Sequence, residues 1–306
     1  MRLRSACRAA AAVLIAATVG VETRDLHPEG PVILGRPPAY HKAGTSPVPN
    51  EAALRPRFWV PELDDGFVPQ GLAVAEGSLL LSGYRSERWW AGRGPCRVFR
   101  IDLDTGREAA HFDVPPPCGH AGGLAYAGDG VLYLADTRTL FAIGLDRAFA
   151  EGGPTLRAVP LGPGLSGGLA ASGNGKIWIG SYRENGAGTI ARFDAAMLRD
   201  LPVGAALTVA MSEAIFPIPT YAQGAAVGPD GKAWIVRSDL PWGYLERRDL
   251  ASGATERRFA IPGGTEGIAI DGAGRLWAVS EAGARDLPLH YPFFPLAFGI
   301  DLERLR

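Results

Sequence analysis

Short apolar runs separated by tight polar turns recur along the chain in one repeating pattern. Five stretches share it: QGLAVAEGSLLLSGY (70–84), GGLAYAGDGVLYLADT (122–137), GGLAASGNGKIWIGSY (167–182), QGAAVGPDGKAWIVRS (223–238) and EGIAIDGAGRLWAVSE (266–281). Counted from the glycine at the second position of each, Gly71, Gly123, Gly168, Gly224 and Gly267, the spacings are 52, 45, 56 and 43. Self-similarity at such a period marks a repeat architecture. Each unit reads as an apolar strand, a turn drawn from EGS, GDG, GNGK, PDGK or GAGR, and a second strand rich in Ile, Val, Leu, Trp and Tyr. Asn-Gly and Asp-Gly supply the positive φ that two-residue hairpins need.

Further strands follow in RVFRIDLDTGREAAHFDVP (97–115), TLFAIGL (139–145) and YLERRDLASGATERRFAIP (244–262). Four antiparallel strands per repeat predict an all-β chain, a β-propeller of five four-stranded blades. The last repeat lacks a fourth strand of its own, and FWVPEL (58–63) is expected to supply it, closing the ring with an N-terminal strand. Six blades is the alternative count, if the stretch 195–219 hides an irregular one. Ten residues after each leading glycine stands Leu81, Tyr133, Trp178, Trp234 or Trp277. A large side chain at one fixed register predicts packing between blades rather than a ligand cage.

Composition adds a location and removes one class of partner. MRLRSACR followed by the apolar stretch Ala9 to Val21 has the form of a secretory signal peptide, assigned to residues 1–21. It is too short to span a bilayer comfortably, so no membrane span is expected once it is removed. Residues 22–56, with HPEG, RPP and SPVP, read as a Pro-rich linker, and 57–306 as the propeller. The expected location is secreted, periplasmic or at the cell surface. There Cys96, opening the third strand of the first blade, and Cys118, following its fourth, are expected to form a disulfide. Lys plus Arg number 31 against 32 Asp plus Glu, so no field gathers a phosphate backbone and nucleic acid is not an expected partner.

If the first strand of each unit lies innermost, the tight hairpins point to one face and the long loops to the other, where function concentrates on a rigid scaffold. Strand interiors repeat, but their ends on the long-loop face do not. The residues entering the first strand are Gln70, Gly122, Gly167, Gln223 and Glu266; those leaving the second are Arg85, Thr137, Tyr182, Ser238 and Glu281. Only the fifth unit is acidic at both ends. Glu266 and Glu281, about 5 Å apart at the backbone if they pair directly, would repel unless a cation or a shared proton lay between them. With Asp136 on the same face they form a candidate site for Ca²⁺ or another divalent cation, and with His120 a candidate catalytic set. Gln70, Arg85, Trp89, Trp90, Tyr182, Gln223, Arg237 and Trp242 are the candidate ligand contacts, since aromatics beside Arg and amides suit carbohydrates or anionic groups. Two motifs are set aside. GPGLSG (162–167) and GLSGG (164–168) match a dinucleotide loop and a nucleophile elbow, but a strand and turn follow where each needs a helix.

LYLADT (132–137) and QGAAVGPDGKAWIV (223–236) resemble blades of the NHL-like and senescence-marker-protein/gluconolactonase-like propeller superfamily, and the likeness runs over about residues 58–306. It implies a propeller, and for its lactonase members a divalent cation held by Glu, Asn and Asp at inner strand ends. Glu266 in TEGIAI is similar to that family's glutamate. No asparagine stands at an inner strand end, however: Asn174 lies in a hairpin and Asn185 in a long loop, so the metal triad is not reproduced. The leading expectation is therefore an exported propeller that binds a small-molecule or carbohydrate-like ligand, or a protein, through its long-loop face. The alternatives are a metal-dependent lactone or ester hydrolase and a structural assembly platform.

Overall fold

A computed structural model describes residues 32–41, 44–86, 94–152, 156–284 and 292–306. The expected signal peptide, together with Trp89 and Trp90, lies outside the described residues. Two strands precede the first repeat, β1 (Ile33–Leu34) and β2 (Leu54–Trp59). β3 (Phe67–Ala75), β4 (Ser78–Arg85), β5 (Cys96–Ile101) and β6 (Glu108–Val114) form blade 1. β7 (Gly123–Tyr126), β8 (Val131–Asp136), β9 (Thr139–Gly144) and β10 (Leu156–Pro160) form blade 2. Blade 3 holds β11 (Leu169–Gly173), β12 (Lys176–Gly180), β13 (Gly188–Asp194) and β14 (Ala214–Ile218). Blade 4 holds β15 (Ala222–Val227), β16 (Lys232–Asp239), β17 (Trp242–Asp249) and β18 (Thr255–Ile261). β19 (Thr265–Ile270), β20 (Leu276–Ser280) and β21 (Leu296–Ile300) begin blade 5.

The ring closes as the missing fourth strand required. β2 pairs antiparallel with β21, Leu54 opposite Ile300 and Trp59 opposite Leu296, and β1 adds a fifth, parallel strand outside it. The closing strand starts four residues earlier than FWVPEL, while Leu63 to Asp65 turn out of it as a 3-10 turn. Much of the stretch read as a linker therefore belongs to the propeller: residues 31–306 form one compact unit. The Asn50 side chain ties it down by donating to the Ala260 carbonyl (2.8 Å) and accepting from the Arg306 amide (2.8 Å). The count is five blades. The stretch 195–219 supplies a short helix (Ala195–Arg199), a 3-10 turn and the fourth strand of blade 3 rather than a sixth blade.

The recurring glycine has a steric cause. Inner strands β3, β7, β11, β15 and β19 meet one another around the axis. A Cβ at Gly123 would lie 2.1 Å from the Ala170 nitrogen, one at Gly224 2.4 Å from the Glu266 carbonyl oxygen, and one at Gly267 2.6 Å from the Leu72 nitrogen. The repeated aromatic register is packing: Leu81, Tyr133, Trp178, Trp234 and Trp277 are all buried. Trp277 stacks on Phe58 of the closing strand at 5.9 Å, and burial pushes the Tyr133 hydroxyl up to about 12.

Two polar devices brace the blades. Cys96 and Cys118 form the expected disulfide, Cα atoms 5.8 Å apart, both buried, tying the start of β5 to the segment after β6. In blade 4 the fully buried Glu246 carboxylate accepts from Arg237 (3.0 Å), Arg248 (2.9 Å) and Arg258 (2.6 Å). Burial works to raise its pKa, but hydrogen bonds from the three guanidiniums outweigh that and hold it below the ordinary glutamate value.

Three outcomes follow. Gly123→Ala forces β7 away from β11 and is expected to cost about 2–3 kcal/mol of overpacking, whereas Gly272→Ala at a hairpin tip with open space around it stays within about 0.5 kcal/mol; paired urea melts check the difference. Replacing Cys96 and Cys118 together by Ser should lower stability by about 3 kcal/mol in the same assay, the loop-closure value for a separation of 22 residues. Because the Glu246 pKa is depressed on folding, its contribution is full above the ordinary value of 4.5 and is lost as pH falls through the lower native value. Urea midpoints between pH 3 and 7 should therefore fall less steeply on the acid side for Glu246→Gln, from a lower neutral baseline.

Candidate functional site

On the long-loop side of the axis the inner strands depart from regular pairing in three blades. β3 carries one extra residue against β4 between Pro69 and Leu72, β15 one against β16 between Ala222 and Gly224, and β19 one against β20 between Thr265 and Ile268. The residues in these bulges are Gln70, Gln223 and Glu266 with their following glycines. Blades 2 and 3, which have Gly122 and Gly167 at the same repeat position, carry no such shift. A bulge bends the strand and re-aims a side chain. Here it occurs where the repeat places a long polar residue.

These side chains meet others at the mouth of the axis. Gln70, 3% exposed, donates its amide to Glu281 (2.6 Å), linking blade 1 to blade 5. Glu266 is 5% exposed. Tyr182, two residues beyond the end of β12 in blade 3, has its hydroxyl pKa raised by burial first, then by the charges of Glu184, Asp239 and Glu266. Residues from blades 1, 3, 4 and 5 thus act on one another across this end. Glu266 and Glu281 do not pair directly. The bulge puts Thr265 opposite Ser280, and the Glu281 amide donates to Gly264 (2.9 Å), so the carboxylates leave the strands at different levels.

Other expected residues go elsewhere. The buried Asp136 carboxylate accepts from the amides of His120 (2.6 Å) and Ala121 (2.8 Å), holding the segment after Cys118, in which Ala121 has a left-handed φ of 56°. Asp136, Cys96 and Cys118 are the one group of potential metal donors within 4.8 Å of one another among the described residues, and its two cysteines are joined to each other. His120 packs its ring 5.8 Å from Tyr84. The Arg85 guanidinium pairs with Glu62, which also binds Arg97 (2.5 Å). Arg237 is engaged by Glu246 and the Thr220 carbonyl (2.9 Å). Gln223 stands on its bulge, half-buried, and Trp242 opens β17 beside the site; Trp89 and Trp90 lie outside the described residues.

Tyr221 was missed, and with it the aromatic run it completes. Its ring is 6.1 Å from Tyr182 and 5.3 Å from Trp242, the planes at 82° and 76°. It has φ 59°, fixed by donation to the Arg183 carbonyl (2.8 Å) and acceptance from the Ser238 amide (3.0 Å). The available signal was its place directly ahead of the fourth inner strand, two residues before Gln223. Below the mouth Ala73, Ala171, Ala226 and Ala269 line the axis around a cavity of about 30 Å³, room for water only.

No protein-family model matches the chain, and no curated protein does. Among solved structures it is similar to the glutaminyl cyclase of Myxococcus xanthus, at 13% identity over 81% of this chain and 94% of that one, with a TM-score of 0.54. It is also similar to the PQQ-bound aldose sugar dehydrogenase of Streptomyces coelicolor, at 17% identity over 76% of this chain and 93% of that one, with a TM-score of 0.46. At such identities the likeness is one of fold: the chain is a five-bladed β-propeller.

Proposed function

We propose that this is an exported propeller that binds a small polar ligand at the long-loop mouth of its axis, with Glu266, Gln70 and Tyr182 as the principal contacts. The observation that carries the reading is Glu266, a carboxylate 5% exposed on a strand bulge and close enough to Tyr182, two blades away, to raise its pKa. Polar groups from several blades gathered at one end of the axis suit the orientation of a small polar molecule. The buried disulfide supports an oxidising compartment, and hence export.

A thermal-shift panel of sugars, amino acids, carboxylates and amines on the intact chain tests this. A ligand at one hundred times its Kd stabilises by about 2.7 kcal/mol, a shift of several degrees that Glu266→Gln should largely abolish and Tyr182→Phe should reduce. Ligand shifts that survive undiminished in Glu266→Gln and Gln70→Ala would move the site away from the mouth and sink the proposal. A Ca²⁺-dependent, EDTA-reversible rise in Tm that Glu266→Gln removes would favour the metal-dependent lactone or ester hydrolase instead.

A further inference from the structure

At the end of blade 5 away from the mouth lies a groove of about 870 Å³, within the range of about 300–1,000 Å³ that small-molecule sites occupy. Three segments far apart in the chain build it: the start of β2, the tight turn between β19 and β20, and the residues after β21. Each brings an arginine, Arg55, Arg275 and Arg304, and the buried Arg57 adds a fourth. Leu54 and Leu276 both stand opposite Ile300, one on each side of β21. Arg55 and Arg275, their immediate neighbours in the chain, therefore leave the sheet close to one level.

Two of the four guanidiniums are engaged within the protein. Arg57 donates to the Glu51 carboxylate (2.9 Å) and the Leu54 carbonyl (2.8 Å), and Arg304 pairs with Asp301 (3.1 Å). Arg55 and Arg275 are exposed, and among the described residues neither has an ion pair or a side-chain hydrogen bond. The Arg275 guanidinium lies 5.6 Å from the centre of the Trp277 ring, a contact that uses none of its N–H donors in hydrogen bonding. Glu303 is the opposing charge on this rim.

Arg55 owes its place to a bulge. β2 runs two residues, Arg55 and Pro56, past the single Gly299 of β21, where a Cβ would lie 2.6 Å from the Arg55 carbonyl oxygen. A bulge re-aims a side chain, and in the inner strands of this molecule the same device releases Gln70, Gln223 and Glu266. Val32, 77% exposed, and the half-buried Pro56 and Leu302 add apolar surface to the groove.

We infer that this groove is a second binding site, for a small organic anion whose carboxylate or phosphate is met by Arg55 and Arg275 and whose apolar body lies against Val32 and Leu302. It is independent of the mouth and of any ligand bound there. A guanidinium presents two parallel N–H donors that match the oxygens of either headgroup. One exposed ion pair is weak, so the two arginines and the apolar wall act together.

The test is calorimetry on the whole chain with hexanoate, hexyl phosphate and hexanamide, the uncharged counterpart of hexanoate. The two anions separate the two headgroups, and at least one of them should bind at least tenfold more tightly than hexanamide. Its short counterpart, acetate or inorganic phosphate, should bind at least threefold more weakly. Arg55→Gln and Arg275→Gln should each weaken the preferred anion at least threefold and Arg55→Glu should abolish its binding, whereas Glu303→Gln, which removes the opposing charge, should tighten it. Arg257→Gln, an exposed arginine on blade 4, should change nothing. No binding of either anion by the wild type, or equal affinity for hexanoate, hexyl phosphate and hexanamide, overturns the inference without relying on any variant. A loss in Arg257→Gln as large as that in Arg55→Gln would mark a general effect of charge and overturn it as well. Loss of anion binding in Gln70→Ala with none in Arg55→Gln would return the ligand to the mouth.

Discussion

Everything in this molecule depends on how closely five inner strands approach one another around the axis. With five blades the ring is narrow, and at Gly71, Gly123, Gly224 and Gly267 a single methyl group would lie within 3.0 Å of a neighbouring strand's backbone. Such distances leave no rotamer to relax into, so the glycine is demanded by geometry rather than by turn conformation. The same narrowness leaves a water-sized space between the inner strands, lined by Ala73, Ala171, Ala226 and Ala269 together with Val74, Val227, Ile268 and Ile270. A wide channel is thereby denied to this part of the axis, and the long polar residues of the inner strands are confined to its other end.

That confinement explains the bulges. A regularly paired inner strand alternates its side chains between the two faces of its blade, and the residue ahead of the crowded glycine must point where the neighbouring blade leaves room. In blades 2 and 3 the chain meets the demand with a second glycine, Gly122 or Gly167. In blades 1, 4 and 5 it carries Gln70, Gln223 or Glu266 instead, and the strand takes one extra residue. The glycine that relieves the axis and the bulge that places a polar side chain beside it are two responses to one steric problem.

This also marks what could be read from the chain alone. The glycine period, the hairpin turns, the packing aromatics and the closing strand were legible because each repeats or completes a repeat. Cys96 and Cys118 were legible once the blade was, since both had to fall at the same end of neighbouring strands. The bulge was not, because an extra residue in a strand leaves no mark on an alternating apolar pattern of only four or five positions; it is what decides that Thr265, not Glu266, stands at the last pair of that hairpin. Asp136 and Arg237 misled for a different reason: each is a charged residue at a strand end on the functional face, but Asp136 is occupied by loop amides and Arg237 by Glu246. Sequence shows a charge and not its partner. Tyr221 escaped because it lies one residue outside the repeating strand, where periodicity has nothing to say.

Glu246 and the mouth show how differently the same chain sets its polar groups. Glu246 is surrounded by three guanidiniums, and hydrogen bonding outweighs burial to lower its pKa, so it is ionised and serves as a brace of blade 4. At the mouth Gln70 serves Glu281 across two blades, and Tyr182 retains its proton more strongly because of burial first and then the charges of Glu184, Asp239 and Glu266. The brace lies within one blade, where neighbouring strands of a sheet fix the guanidiniums against the carboxylate. The mouth gathers its groups from several blades, so its geometry depends on how the inner strands meet around the axis and on the bulges that release their first residues.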